Sequence, residues 1–153
     1  MTPRINLNAD LGESFGAWKM GDDDALLQIV KSANVACGFH AGDPSVMQDT
    51  VRLAIQNGVS LGAHPSYPDL QGFGRRVMQL SAADLRACVI YQIGALQAMA
   101  VSQGARVTHV KPHGALHNVA CADVAVATTV VHALHQLDAQ LPLLAPPYSQ
   151  LAA

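Results

Sequence analysis

The chain has 153 residues, a length suited to one domain spanning 1–153. Half of its residues are hydrophobic, 13% are charged and the formal net charge is −2, which excludes a disordered chain and leaves no basic block for a nucleic acid or a membrane surface. The N-terminal stretch lacks the apolar run of a signal peptide, and the weakly charged run Val119–Leu134 is broken by Asp123 and His132, so a cytoplasmic chain with no membrane span is expected. Cys37, Cys88 and Cys121 show no metal-type spacing and are expected as buried, reduced thiols.

In chain order, Arg4–Ala9 alternates as a strand and runs into a loop, Asp10-Leu11-Gly12-Glu13. Asp22–Val30 predicts a helix with acidic residues in its first turn, Asp22–Asp24 being a solvated helix start. Asn34–Cys37 predicts a second strand. Pro44 suits a first helical turn, and Val46–Asn57 continues as a helix stopped by Gly58. Val59–Ala63 reads as a third strand ending at His64-Pro65, before a polar loop over Ser66–Val77. Ser81 and Asp84 have the spacing of a capping box and open a long helix to about Gln103. Val107–Lys111 predicts a fourth strand, Ala122–Gln136 a helix and Leu141–Ala145 a fifth strand. Strands alternating with helices imply an α/β fold with a parallel sheet of about five βα units, an open sheet or part of a barrel.

Polar groups follow each strand: Asp10 and Glu13, then His40 and Asp43, then His64 and Asp69, then Lys111 and His113. The C-terminal strand ends form the ligand-binding face of parallel α/β folds, so four strands aim acids and bases at one place. Bland alternatives stand beside this. Asp43 before Pro44 suits a helix N-cap, Asp10 could brace the Gly12 turn, and His40 or His64 could be a satisfied core histidine. Lys111 between Val110 and Pro112 is costly to bury unpaired and points to function. His113 and His117 have the i, i+4 spacing of a metal pair, to which Asp10 would add a carboxylate, but Gly114 disfavours a regular helix there.

The segments INLNADLGESFG, ANVACGFHAGDP, GAHPSYPDLQGFGRR and VKPHGALHN resemble, in order, the four signature blocks of the LamB/YcsF family, to which the A component of 5-oxoprolinase belongs. The resemblance covers Ile5 to Asn118. It implies a (βα) barrel of the glycoside hydrolase/deacetylase type. It also implies an ATP-using hydrolase that opens 5-oxo-L-proline to L-glutamate together with two partners, subunits B and C. Carried over residue by residue, Asp10, Glu13, His40, His64, Lys111 and His113 are the expected catalytic residues. Asn8, Asp43, Asp69, Arg75 and Asn118 are expected to bind substrate, with Arg75 as an anion clamp. Asp10 or His64 is the expected base, and Lys111 the compact cation for a phosphate or carboxylate.

Two departures qualify the resemblance. The family carries Tyr where this chain has His117, so the His113–His117 pair is not a family feature and no metal is favoured; one, if bound, would sit on Asp10, His40, His64 and His113. Family members are also longer, so the last barrel strands are expected to be missing, and a homo-oligomer could cover the gap. The alternatives are a metal-dependent deacetylase or amidohydrolase acting on a sugar-like substrate, and a non-catalytic scaffolding component.

Overall fold

The computed structural model describes residues 5–153, so Arg4 of the expected first strand lies outside the described residues. Four parallel strands form one sheet in sequential order: β1 (Asn8–Leu11), β2 (Ser32–Ala36), β3 (Ser60–His64) and β4 (Val107–Val110). Sequential parallel order needs a crossover after every strand. Right-handed crossovers then carry the connecting helices to the same side of the sheet. Those helices are α1 (Asp23–Leu27), α2 (Pro44–Gln56) and α3 (Ala82–Ser102), followed after β4 by α4 (Gly114–Ala122) and α5 (Val124–Leu137).

The register sorts the strand residues into two faces. Ala9, Ala33 and Leu61 align across the sheet, as do Leu11, Val35, Ala63 and Val110. These apolar rows join Val51, Val89, Leu96, Val130 and Leu134 of the helices in one buried cluster. The opposite row is polar: Asp10 pairs with Asn34, Asn34 with Gly62, and Gly62 with His109. Alternation along a strand sends successive side chains to opposite faces, so one sheet carries an oily side and a chemical side.

Local chemistry fixes the helix starts. Asp43 caps α2, its carboxylate accepting from the Ser45 and Val46 amides at 2.9 Å each, and Pro44 occupies the first turn. Such a cap is worth about 1 kcal/mol. Ser81 accepts from the Asp84 amide at 3.1 Å, the N-cap half of the capping box the spacing predicts, while the Asp84 carboxylate takes the Ser81 hydroxyl at 2.7 Å and not the Ser81 backbone amide. By length and composition α3 could cross a membrane, yet it buries Leu85, Val89, Ile93, Leu96 and Ala100 within the fold. A fully buried Leu contributes about 1.5–3 kcal/mol, so packing holds this buried face, while Tyr91 and Val101 on the same helix stay exposed.

Several expectations need correction. β1 begins at Asn8, later than expected, and contains Asp10, which therefore projects from the sheet itself. α1 has only five residues, and its Asp23 is not merely solvated: the carboxylate accepts the Gly12 amide at 2.9 Å and braces the turn after β1. α4 is a helix despite Gly114, because that glycine is its first residue and takes φ of +54°, where a side chain would be strained. Asp123 then caps α5, which turns away from α4 by 115°. The expected fifth strand is reduced to a single parallel bridge from Val110 to Leu143. Prolines at 142, 146 and 147 cannot donate to a ladder, which keeps the pairing that short. The three cysteines are free; Cys37 is buried, and burial pushes its thiol up to about 12, whereas Cys88 and Cys121 are only half-buried.

Candidate active site

All six expected catalytic residues meet at the C-terminal ends of β1–β4. On the polar face, Lys111 Nζ donates to Asp10 Oδ1 at 2.7 Å, and Asp10 Oδ2 lies 3.4 Å from His64 Nε2. Asn34 Nδ2 donates to Asp10 Oδ1 and to Asn8 Oδ1, both at 2.9 Å. His109 Nε2 completes the row by donating to Asn34 Oδ1 at 3.1 Å. Partial burial opposes ionisation of Asp10, but His64 and Lys111 outweigh it and hold the carboxyl far below the usual carboxylate range. Asp10 is thus a fixed anion and a poor proton acceptor.

Beside this row lies a histidine cluster. His40, His64 and His113 are almost wholly buried. The His40 and His113 rings stack at 3.7 Å between centroids, and His64 meets both edge-on. Glu13, on the turn braced by Asp23, lies 3.0 Å from His40 Nε2 and 3.7 Å from His113 Nδ1. Burial lowers His40, and burial with the neighbouring histidines lowers His113 to about 4. His113 is therefore neutral near pH 7.

Backbone carbonyls set the ring orientations. A carbonyl oxygen can only accept, so His64 Nδ1–H donates to Lys111 O at 2.5 Å and His113 Nε2–H donates to Phe73 O at 2.8 Å. Phe73 belongs to the polar loop after β3, which is tied to α4 where the Ala115 amide donates to Gly74 O at 2.8 Å. Glu13, His40, His64 and His113 offer ligand atoms that all lie within 4.8 Å of one another, the donor set of a possible cation site. Glu13 stands in this group where Asp10 was expected. His117 is not part of it; it lies 3.7 Å from Cys121 Sγ on α4, so the sequence pair does not form a shared site.

The expected substrate-binding residues fare differently. Asn8 borders the polar row through Asn34. Asp43 is engaged by α2 and by the Gly16 amide at 2.6 Å. Asp69 is buried and held by Arg76, whose Nε lies 3.0 and 3.1 Å from its oxygens; this pairing brings the carboxyl down to about 2. The neighbouring Arg75 instead stands over the Phe73 ring at 5.5 Å. Asn118 is exposed on α4, and among the described residues no hydrogen bond or ion pair joins it to the cluster. A cavity of about 310 Å³ opens beside Glu13 and His40 and is walled by Phe15, Trp18, Leu70 and Phe73. Sequence reasoning missed Asn34, although polar residues two apart on β2 (Ser32 and Asn34) signalled a polar face.

The sequence model of the LamB/YcsF family matches residues 5–153. The chain belongs to the LamB/YcsF family. It is 67% identical over 150 residues to a protein of Azoarcus sp. named as the A component of 5-oxoprolinase, covering 98% of this chain and 59% of that one. A protein of the same name from Methylococcus capsulatus is 58% identical over 151 residues, covering 99% and 58%. The chain thus spans about three-fifths of the length of these relatives. The lactam utilization protein of Thermus thermophilus superposes with a TM-score of 0.96 at 47% identity, over 98% of this chain and 61% of that one. A putative cellobiose-phosphate cleavage protein of Enterococcus faecalis, at 16% identity and a TM-score of 0.59, shares the fold.

Proposed function

We propose that this chain carries the ring-opening site of an ATP-dependent 5-oxoprolinase, converting 5-oxo-L-proline to L-glutamate in a cytoplasmic complex with subunits B and C. The observation that carries this reading is the convergence of Asp10, Glu13, His40, His64, Lys111 and His113 at the strand ends of a chain 67% identical to a protein named as that enzyme's A component. An unstrained lactam is a poor electrophile. In this reading the partners use ATP to activate its oxygen. Ring opening then requires a water to lose a proton, the carbon–nitrogen bond to break and the ring nitrogen to gain a proton.

The groups at hand match those needs. Lys111, held by Asp10, is the compact cation for developing or transferred negative charge. Because Asp10 is held so firmly as an anion, the acceptor role moves from it to the histidine cluster. Asp10 instead fixes Lys111 and faces His64. The cavity beside Glu13 and His40 offers an apolar wall for the ring carbons, with Arg75 at its rim near Phe73 as the candidate anion clamp. Sequential strand order fits part of a (βα) barrel whose polar face lines the interior.

The test is glutamate release from 5-oxoproline with this chain added to purified subunits B and C. Release that requires the chain, both partners and ATP is the expected result. No release, with a longer relative of this chain active under the same conditions, would mean that residues beyond this chain are needed. No release with either would overturn the assignment.

A further inference from the structure

The histidine cluster contains a conflict that hydrogen bonding alone leaves open. His64 spends its Nδ1 proton on Lys111 O, and His113 spends its Nε2 proton on Phe73 O. In neutral rings the other nitrogens, His64 Nε2 and His113 Nδ1, then carry lone pairs, and these two atoms face each other at 3.0 Å inside the protein. Two acceptors so placed repel unless something positive lies between or beside them: a proton on His64 Nε2, which also lies 3.4 Å from Asp10 Oδ2, or a metal ion in its place. Glu13 adds a carboxylate oxygen 3.7 Å from His113 Nδ1, so the nearest acid deepens the negative character of the spot. A third buried ring, His40, brings Nε2 to 3.0 Å from that same oxygen, while its own Nδ1 has no hydrogen-bond partner.

From this geometry we infer that Glu13, His64 and His113 form a binding site for a first-row divalent cation such as zinc or cobalt, with His40, stacked parallel on His113 and donating to Glu13, holding the carboxylate in place and staying outside the donor set. Imidazole nitrogens bound at about 2.0–2.1 Å stand roughly 3–3.4 Å apart on a coordination polyhedron, which matches the facing pair. Nitrogen with one carboxylate is a donor set suited to these ions. The outer nitrogens donating to backbone carbonyls are the supports that fix a ligating histidine's tautomer and aim its lone pair. This differs from the i, i+4 pair suggested by the sequence: His113 ligates, and its partners come from the ends of other strands, not from His117. The site deepens the ring-opening reading by naming what could hold a water there, but cation binding stands on geometry alone and is measured without any turnover.

The chain, stripped with chelator, is titrated with zinc by calorimetry and with cobalt by visible absorption. One equivalent is expected to bind, with cobalt bands of nitrogen and oxygen ligation. Glu13→Gln and His113→Ala are each expected to weaken binding by about 10–100-fold or more, while His132→Ala leaves it unchanged. Imidazole nitrogen NMR of the unaltered chain guards against variants that fail to fold: zinc should shift His64 Nε2 and His113 Nδ1 and leave their carbonyl-bonded partners protonated. Absence of binding by either metal overturns the proposal, as does binding that survives both substitutions. An NMR signal showing a proton shared between the two rings at saturating zinc also overturns it. Metal binding with no glutamate release from either this chain or the longer relative would sink only the ring-opening function; release unaffected by chelation, with no bound metal, would sink only the cation site.

Discussion

Asp10→Asn leaves the chain folded and lowers ATP-dependent glutamate release by about 10²–10³-fold. The substitution keeps the size of the side chain and can still accept from Asn34 Nδ2. What it removes is the charge that holds Lys111 Nζ at 2.7 Å and faces His64 Nε2 at 3.4 Å. Lys111 then loses its fixed position, and a displaced cation no longer meets negative charge where it develops. The side chain is about one-third exposed, so little stability is at stake. Steady-state kinetics should show the loss mainly in kcat, with thermal unfolding near that of the unaltered chain. A fall in stability matching the loss of rate would instead assign Asp10 a structural role.

Gly74→Ala is expected to damage both the fold and the site. Gly74 has φ of +63°, where any side chain is strained, and its new Cβ would collide with Ser66 Oγ while lying 2.8 Å from His40 Cβ and 2.9 Å from His113 Cδ2. The left-handed conformation alone costs about 1–2 kcal/mol, and crowding in a packed site adds to it, for a total of about 2–4 kcal/mol. Gly16→Ala serves as the comparison: its φ is +54°, but nothing lies within 4 Å of the added carbon. Urea unfolding should therefore show a clearly larger loss for Gly74→Ala, accompanied by a loss of glutamate release. Equal losses for both would mean that the ring packing at Gly74 gives way freely.

Much of this site was legible because strand ends are easy to find. A short β-type run followed by glycine and a polar residue marks one, and Asp10, His40, His64 and Lys111 each follow or end such a run. Asp43 was legible as a cap because an acid before proline has a local reason to be there. What escaped was set by distance in the sequence. Asn34 matters through pairing with a strand 24 residues earlier. Phe73 matters through its carbonyl, which its side chain does not advertise. The i, i+4 spacing of His113 and His117 misled because His113 lies just before α4, at its N-cap in extended conformation, so its ring turns back to the strand ends. Arg75 and Arg76 are adjacent, and only the fold shows that Arg76 takes the buried Asp69. The fifth strand failed because prolines interrupt a run whose apolar pattern is otherwise strand-like.

The central claim is that this chain performs chemistry and does more than organise its partners. The most direct measurement takes Lys111→Ala and follows two quantities together: co-elution with subunits B and C on size exclusion, and glutamate released from 5-oxoproline with ATP. The account predicts a complex that assembles as before and a release rate lowered by at least about 100-fold. Assembly with an unchanged release rate would contradict it and leave the chain a scaffold whose partners do the chemistry.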